Sequence, residues 1–285
     1  LVYSNIGEFS GSTSIIGQAS KYVAGAAGES TSMAPGIPTM VMADGPAGVR
    51  IEPQCGVDTT AFPCATLLAC TWNPDICRQV GAAAARELKE NNIGIWLAPA
   101  LNIHRDIRCG RNFEYYSEDP RLTGYLAAAI TLGVQAEPGF YVTVKHFACN
   151  NQEDNRNFVS SNVSERALRE IYLRPFELPV RQAGARAVMT SYNLVNGEWA
   201  GESKYVITDL LRGTLGFKGL VMTDWRSVFD WKKVVLSGQN VEMPGDRNQP
   251  QHINSVRGLL ASGELTEQNI NDMIRPMIAT CIRFG

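Results

Sequence analysis

Seven short runs along the chain are apolar with few interruptions: PTMVMAD (38–44), CATLLAC (64–70), IGIWLAPAL (93–101), YVTVKHF (141–147), ARAVMTSY (185–192), GLVMTDW (219–225) and QNVEMPG (239–245). Continuous short runs of this kind suit strands covered on both faces. Between them lie amphipathic stretches with helix-like spacing. The alternation predicts parallel strands joined by crossover helices, an α/β fold closing into a (β/α)8 barrel of TIM-like architecture. Seven strands are visible and an eighth is expected. The Gly/Ser-rich stretch from Gly7 to Ser32 has weak periodicity, so residues 1–35 are expected to form an irregular leading segment and first βα unit.

The helices announce their starts. Asn73 before Pro74 places a capping side chain ahead of a residue that tolerates the first helical position, and Ile76, Val80, Ala83, Ala84 and Leu88 then share one face. Asp119 before Pro120 repeats the device. Asn162 with Glu165 reads as a capping box for a helix carrying Leu168, Ile171, Tyr172 and Phe176, which Pro175 is expected to bend. Ile207, Leu210, Leu211 and Leu215 make a further face, closed by Gly216.

Composition narrows the class. A chain of 285 residues, 45% hydrophobic and 19% charged, can bury a full core, and no linker or low-complexity tract divides it, so residues 1–285 are read as a single barrel domain. The formal net charge of -2, with no basic stripe, argues against a nucleic-acid partner. No apolar run approaches the roughly 18 residues of a membrane span, and the first residues lack the pattern of a signal peptide. The chain starts at Leu1, which leaves the compartment open, with the cytoplasm as the default expectation. The seven cysteines are odd in number and scattered without CxxC spacing, so they read as reduced, small hydrophobes rather than metal ligands or nucleophiles. His104 and His252 lack partner spacing as well, and no metal or cofactor is expected.

In such a barrel the chemistry sits where strands end, at the C-terminal face. The polar residues there are Asp44, Asn102 with His104 and Arg105, Lys145 with His146, Ser191 with Tyr192 and Asn193, Asp224 with Trp225, and Glu242. A single strand-end acid is usually a cap or an ion-pair partner; six coincident cases point to a pocket. A neutral polyhydroxylated ligand needs fixed donors and acceptors, which Asp44, Arg111, Lys145 and His146 can supply, and an aromatic face, which Trp225 or Tyr192 offers. Sugar hydrolysis also needs a carboxylate beside the anomeric carbon, and Asp224 is the candidate. Arg111 with Glu114 or Glu118 reads equally as an ordinary ion pair. A Schiff-base role for Lys145 is disfavoured by the adjacent histidine and the missing phosphate-binding glycine loop. Trp72, Trp96, Trp199 and Trp231 are read as packing residues, and Arg105 with Asp106 as loop scaffolding.

MADGPAGVR (42–50), NIHRDIRCGRNFEYYSEDPRLTG (102–124), VKHFACNNQEDNR (144–156), VSERALREIYLRPFE (163–177), AVMTSYNLVNG (187–197) and GFKGLVMTDW (216–225) occur in one order. Together they resemble the barrel domain of glycoside hydrolase family 3, over about residues 36–284. The resemblance implies that Asp224 is the nucleophile of a retaining mechanism, forming a covalent glycosyl-enzyme, with Trp225 flanking the sugar. It implies that Asp44 holds outer hydroxyls of the terminal sugar, and that Arg111, Lys145, His146, Met189 and Tyr192 complete that subsite. DGPAGVR is similar to the glucosidase-like members rather than the xylosidase-like ones. The implied activity is an exo-acting β-glucosidase releasing terminal non-reducing β-D-glucosyl residues from a β-linked glucoside or oligosaccharide. The alternatives are a sugar-binding or scaffold barrel incomplete on its own, or a relative acting on another β-glycoside such as a xyloside.

Retention needs a second carboxyl group as general acid. KHFACNNQEDNR has no histidine between His146 and His252, unlike the branch of the family that takes its acid from a loop there. Glu114, Glu153 and Asp154 have no sequence reason to sit opposite Asp224. The acid is therefore expected outside this segment, on a companion α/β sandwich domain of the same or another chain. Asn240 stands where the family often carries aspartate.

Overall fold

The computed structural model describes residues 2–3, 20, 22–29, 36, 39–244 and 251–284. Most of the leading segment 1–35, and the ends of the predicted strands at 38 and 245, lie outside the described residues. Eleven strands are described: β1 (Val2–Tyr3), β2 (Gly28–Glu29), β3 (Val41–Ala43), β4 (Ile95–Trp96), β5 (Tyr141–Phe147), β6 (Ser160–Ser161), β7 (Ala187–Thr190), β8 (Leu194–Val195), β9 (Glu198–Trp199), β10 (Leu220–Trp225) and β11 (Val241–Met243). Eight form one sheet in the order β1-β11-β10-β7-β5-β4-β3-β2, parallel throughout except for β2 against β3. That antiparallel pair is the irregularity of the first βα unit.

Alternation along the strands separates two cores. Met42, Ile95, Tyr141, Met189, Met222 and Met243 gather in one cluster. Their neighbours Val41, Trp96, Val142, Val188 and Val221 join a larger cluster with residues of the surrounding helices. A strand with period-two side chains buried on both faces is what a barrel wall requires, and it is why these runs carry almost no polar residue until their ends.

Six of the seven predicted strands are found. CATLLAC is not one of them: Ala65–Cys70 is a helix, α1. Ala65, Leu68 and Ala69 are buried while Leu67 is 57% exposed, a helical spacing that a run this short hides behind its overall apolarity. Proline at position 63 precedes the turn and the segment has no β-branched residue except Thr66, so local preference also favours the helix.

In α2 (Pro74–Glu90) the Asn73 side chain accepts from the Asp75 N–H as expected, but the buried face is Cys77, Gly81, Ala84, Ala85 and Leu88, one step round from the predicted stripe, and Ile76 is exposed. The Asp119 carboxylate caps α3 (Pro120–Gln135) through the N–H groups of Arg121 and Leu122. For the next helix the capping residue is Ser164, whose hydroxyl accepts from Ala167 N–H at 3.3 Å; Asn162 instead accepts from Ser160 Oγ at 2.8 Å. After Glu165–Ala167 and a π-helical stretch Leu168–Tyr172, α-helix resumes at Arg174–Arg181 with Pro175 in its first turn. No described helix is long and apolar enough to cross a membrane.

Two departures from regular pairing bear on the site. The β5–β7 register shifts between Val144 and Phe147, across Lys145 and His146, and the β10–β11 register shifts between Met222 and Trp225, across Thr223 and Asp224. Such irregularities re-aim side chains at strand ends. A smaller sheet, β6-β8-β9, sits over the ends of β5 and β7, its hairpin turning at Asn196 and Gly197 with φ of 50° and 92°.

Candidate active site

Asp44 follows β3 directly. Its backbone pairs with Arg50 across a tight turn in which Gly48 N–H donates to Gly45 O at 3.0 Å and Arg50 N–H to Asp44 O at 2.9 Å. Gly45 and Gly48 have φ of 106° and 142°, and a Cβ on either would meet a backbone oxygen, which explains the glycines of DGPAGVR. The turn brings Asp44 to Lys145, whose Nζ donates to Oδ1 at 2.6 Å; their side chains are 16% and 4% exposed. Burial pushes the Asp44 carboxyl up, but Lys145 and, more weakly, Arg50 outweigh it, leaving Asp44 below its ordinary value.

His146 is clamped from behind. Asn102 Nδ2 donates to the His146 carbonyl at 2.9 Å, and the Asn102 amide oxygen accepts from the His146 N–H at 3.1 Å. On the ring, Arg111 lies 2.8 Å from Nε2 and Asn102 Oδ1 lies 3.3 Å from Nδ1. Arg111 can only donate, so Nε2 accepts and Nδ1 carries the proton. Burial, then Arg111, Lys145 and Arg156, hold His146 well below the usual imidazole range. It is neutral, and its 3.6 Å approach to Asp224 Oδ2 is no ion pair.

The other end of Arg111 donates through Nε to Glu114, so the ion-pair reading and the pocket reading of this arginine both hold. Burial opposes the charge on Arg111, but the carboxylates of Glu114 and Asp224 outweigh it and raise the guanidinium. Tyr115 Oη, 3.3 Å from His146 Nδ1, also accepts from Asn150.

Asp224 stands apart. Oδ1 accepts from the Trp225 N–H at 2.8 Å, while Oδ2 is buried with no hydrogen-bond partner among the described residues. Burial raises the acid, opposed by Arg111, Lys145, the Trp225 N–H and Tyr192, and the net direction is upward. Tyr192 feels Asp224 in return; burial and that negative charge raise its phenol, and the Arg156 guanidinium lies 4.1 Å above its ring.

One cavity of about 540 Å³ takes in Asp44, Arg111, Lys145, His146, Met189, Tyr192, Asp224 and Trp225 together. These are all eight of the residues singled out from sequence. The remaining strand-end polar groups are scaffolding. His104 Nε2 meets the carbonyls of Asn112 and Tyr115 at 2.9 and 3.0 Å, Ser191 and Asn193 donate to Ala148 O, and Glu242 lies against His252 outside the cavity. Asn240 is satisfied as an amide: Oδ1 accepts from Val221 N–H at 2.8 Å and Arg212 at 2.9 Å, and Nδ2 donates to Met273 O. The cysteines are free thiols, and burial pushes Cys77 to about 11 and Cys149 to about 12. Trp72, read as a packing residue, is 73% exposed.

Residues 5–279 match the Glycosyl hydrolase family 3 N terminal domain. The chain belongs to glycosyl hydrolase family 3. Among relatives of this family 3 chain, Beta-glucosidase A of Butyrivibrio fibrisolvens is 53% identical over 208 residues, covering 73% of the chain and 25% of that protein. Beta-glucosidase B of Emericella nidulans is 40% identical over 244 residues, 85% of the chain and 29% of that protein. The structure of beta-glucosidase 3B from Thermotoga neapolitana in complex with glucose superposes with a TM-score of 0.88 at 39% identity, covering 97% of this chain and 40% of that one. The family 3 chain thus spans well under half the length of these proteins.

The family 3 cavity also includes residues that sequence reasoning missed, Arg50, Phe113 and Arg156, and Glu114, which it named only as an ion-pair partner of Arg111 and an unplaced acid. Arg50 had a signal, since the glycine-rich turn after Asp44 folds it back beside that carboxylate. Arg156 had none beyond its place in KHFACNNQEDNR.

Proposed function

We propose that this domain is the catalytic barrel of a retaining, exo-acting β-glucosidase, with Asp224 as nucleophile. The observation that carries the reading is Asp224 Oδ2, a buried carboxylate oxygen without a partner, facing the same cavity as a set of fixed donors and acceptors. The names of the relatives and the glucose in the Thermotoga neapolitana complex support the substrate class.

In the first step Asp224 Oδ2 forms a bond to the anomeric carbon as the bond to the aglycone oxygen breaks, and that oxygen takes a proton from a general acid. Water then attacks the same carbon, giving its proton to the same group acting as base, and Asp224 is released as carboxylate. Asp44 and Lys145 accept from and donate to outer hydroxyls, and neutral His146 with Arg111 holds a further part of the ring. Met189 and Trp225 border the sugar. Arg111 and Lys145 favour the ionised form of Asp224 and so limit the rise that burial imposes on it.

Of the other cavity acids, Asp44 is held ionised by Lys145 and Glu114 is bonded to Arg111, so neither is a free proton donor. We assign the general acid to a companion α/β sandwich domain beyond these residues.

The test is an aryl β-glucoside with a leaving group too acidic to need protonation, such as 2,4-dinitrophenyl β-glucoside. The chain is expected to release one equivalent of phenol in a burst, lost in Asp224→Ala. Sugar binding without a burst at any substrate concentration overturns the reading for this chain.

A further inference from the structure

Glu153 lies in the loop that follows β5, its side chain 20% exposed, and it is not among the residues that line the cavity. Both of its oxygens are nevertheless tied. Oε1 accepts from Asn150 Nδ2 at 3.0 Å, and Oε2 from Arg156 at 2.6 Å. A turn makes the second contact possible: Arg156 N–H donates to Glu153 O at 3.3 Å, and Asn155 between them has φ of 51°. Asparagine is one of the few residues that take this left-handed conformation readily.

The contact aims the arginine inward. Arg156 lines the cavity, with its guanidinium 4.1 Å above the ring of Tyr192. A cation over an aromatic face is attracted to it, so an arginine anchored by Glu153 fixes where that ring lies. The Tyr192 hydroxyl is in turn near enough to Asp224 for each group to shift the other. An exposed ion pair with no further contact is worth little. This one runs from outside the cavity to the nucleophile in three contacts, Glu153 to Arg156, Arg156 to Tyr192, and Tyr192 to Asp224.

The other groups around Asp224 are held differently. Arg111 and Lys145 act on it as charges, the Trp225 N–H is bonded to Oδ1, and neutral His146 lies 3.6 Å from Oδ2. Arg111 and Lys145 have their carboxylate partners, Glu114 and Asp44, within the cavity wall. Tyr192 owes its place to a contact made outside it.

We propose that Glu153 is a positioning residue for the nucleophile: by holding Arg156 over Tyr192, it keeps the Tyr192 hydroxyl facing Asp224. The role rests on the assignment of Asp224 as nucleophile made above. A hydroxyl kept there supports the negative charge of Asp224 before attack, so removing Glu153 should make Asp224 a weaker acid. The sign is diagnostic. Acting as a bare charge, Glu153 would do the reverse, because one carboxylate disfavours ionisation of another and its loss would favour the Asp224 anion.

Stopped-flow release of dinitrophenol from 2,4-dinitrophenyl β-glucoside, followed across pH, reads the acidity of Asp224 as the midpoint at which the second-order rate constant falls in acid. In Glu153→Gln that midpoint should move up by about half a pH unit or more. Arg156→Met should move it in the same direction, and keeps the test open if the amide variant does not fold. In Tyr192→Phe, adding Glu153→Gln should bring no further shift. A midpoint that stays or moves down in Glu153→Gln overturns the positioning role, as does an undiminished shift in the Tyr192→Phe background. So does a lower rate at every pH with an unmoved midpoint, the result expected of a loosened loop alone. A parent chain that gives no burst overturns the nucleophile reading and this role with it. A parent burst that is lost in Asp224→Ala, with an unmoved midpoint in Glu153→Gln, overturns this role alone.

Discussion

The ends of β3 and β10 present the same side chain to the same cavity, and the two carboxylates behave oppositely. Asp44 is paired at 2.6 Å with Lys145 and approached by Arg50, and its acidity is strengthened. Asp224 feels Lys145 and Arg111 only at longer range, keeps one oxygen unbonded, and its acidity is weakened. The difference lies in who stands next to each. A directly bonded ammonium outweighs desolvation, whereas charges at a remove do not. One environment makes a binding group that is always ionised; the other makes a carboxylate that gains most from acquiring a new partner at Oδ2. Two titratable groups whose surroundings push them apart are the usual sign of divided roles.

The most severe way to break the comparison is Asp224→Ala, expected to slow glycosyl-enzyme formation on the order of 10⁴-fold in stopped-flow release of dinitrophenol. Asp44→Ala should instead weaken sugar binding and leave a measurable burst.

Next is Lys145→Met, which strands a buried carboxylate. Breaking such a pair costs roughly 3–5 kcal/mol, readable as urea unfolding at neutral pH. The sign of its pH dependence is fixed by Asp44. A carboxyl lowered in the folded state contributes stability present above its unfolded value and lost as pH falls through the folded one. Without Lys145, burial of Asp44 is opposed only by Arg50 and the Gly45 N–H, so the loss should be largest at neutral pH and shrink in acid, where Asp44 takes up a proton.

Asp224→Asn should work the other way. A carboxyl raised in the folded state favours folding fully below its unfolded value, and that contribution is lost as pH rises through the folded one. The amide should therefore stabilise the chain at pH 7 by about 1 kcal/mol, seen as a higher melting temperature, and the gain should vanish in acid. Arg50→Ala sharpens the contrast from the weak side. Its 4.0 Å contact with Asp44, from a side chain 43% exposed, should be worth roughly 0.5 kcal/mol or less in the same unfolding assay.

Much of this was legible before any coordinates. Period-two burial writes a strong signal into parallel strands, and a charge ending such a strand has little choice but to face the cavity at its end, so Asp44, Lys145, His146 and Asp224 could be grouped from sequence. What failed was local and short. CATLLAC is six helical residues long, too few for periodicity to distinguish a buried helix from a buried strand. Asn162 and Ser164 are both competent caps, and only the path of the chain decides between them. Trp72 was assigned to packing because tryptophan is usually buried, yet it is 73% exposed; whether its ring is covered depends on neighbours far off in sequence. Tyr115 and Arg156 were missed for a related reason: each acts on His146 or Tyr192 through space, from loops with no periodic pattern.

The hydrogen bond from the Trp225 N–H to Asp224 Oδ1 gives the carboxylate a handedness. A free carboxylate is symmetric, and either oxygen can attack after a half-turn about its last bond. A half-turn exchanges the two oxygens and re-forms the same bond, so what the bond fixes is the plane of the group: whichever oxygen is anchored, the other occupies one set place. An incoming carbon therefore meets one anchored position and one available position, and the direction of approach is built into the strand end.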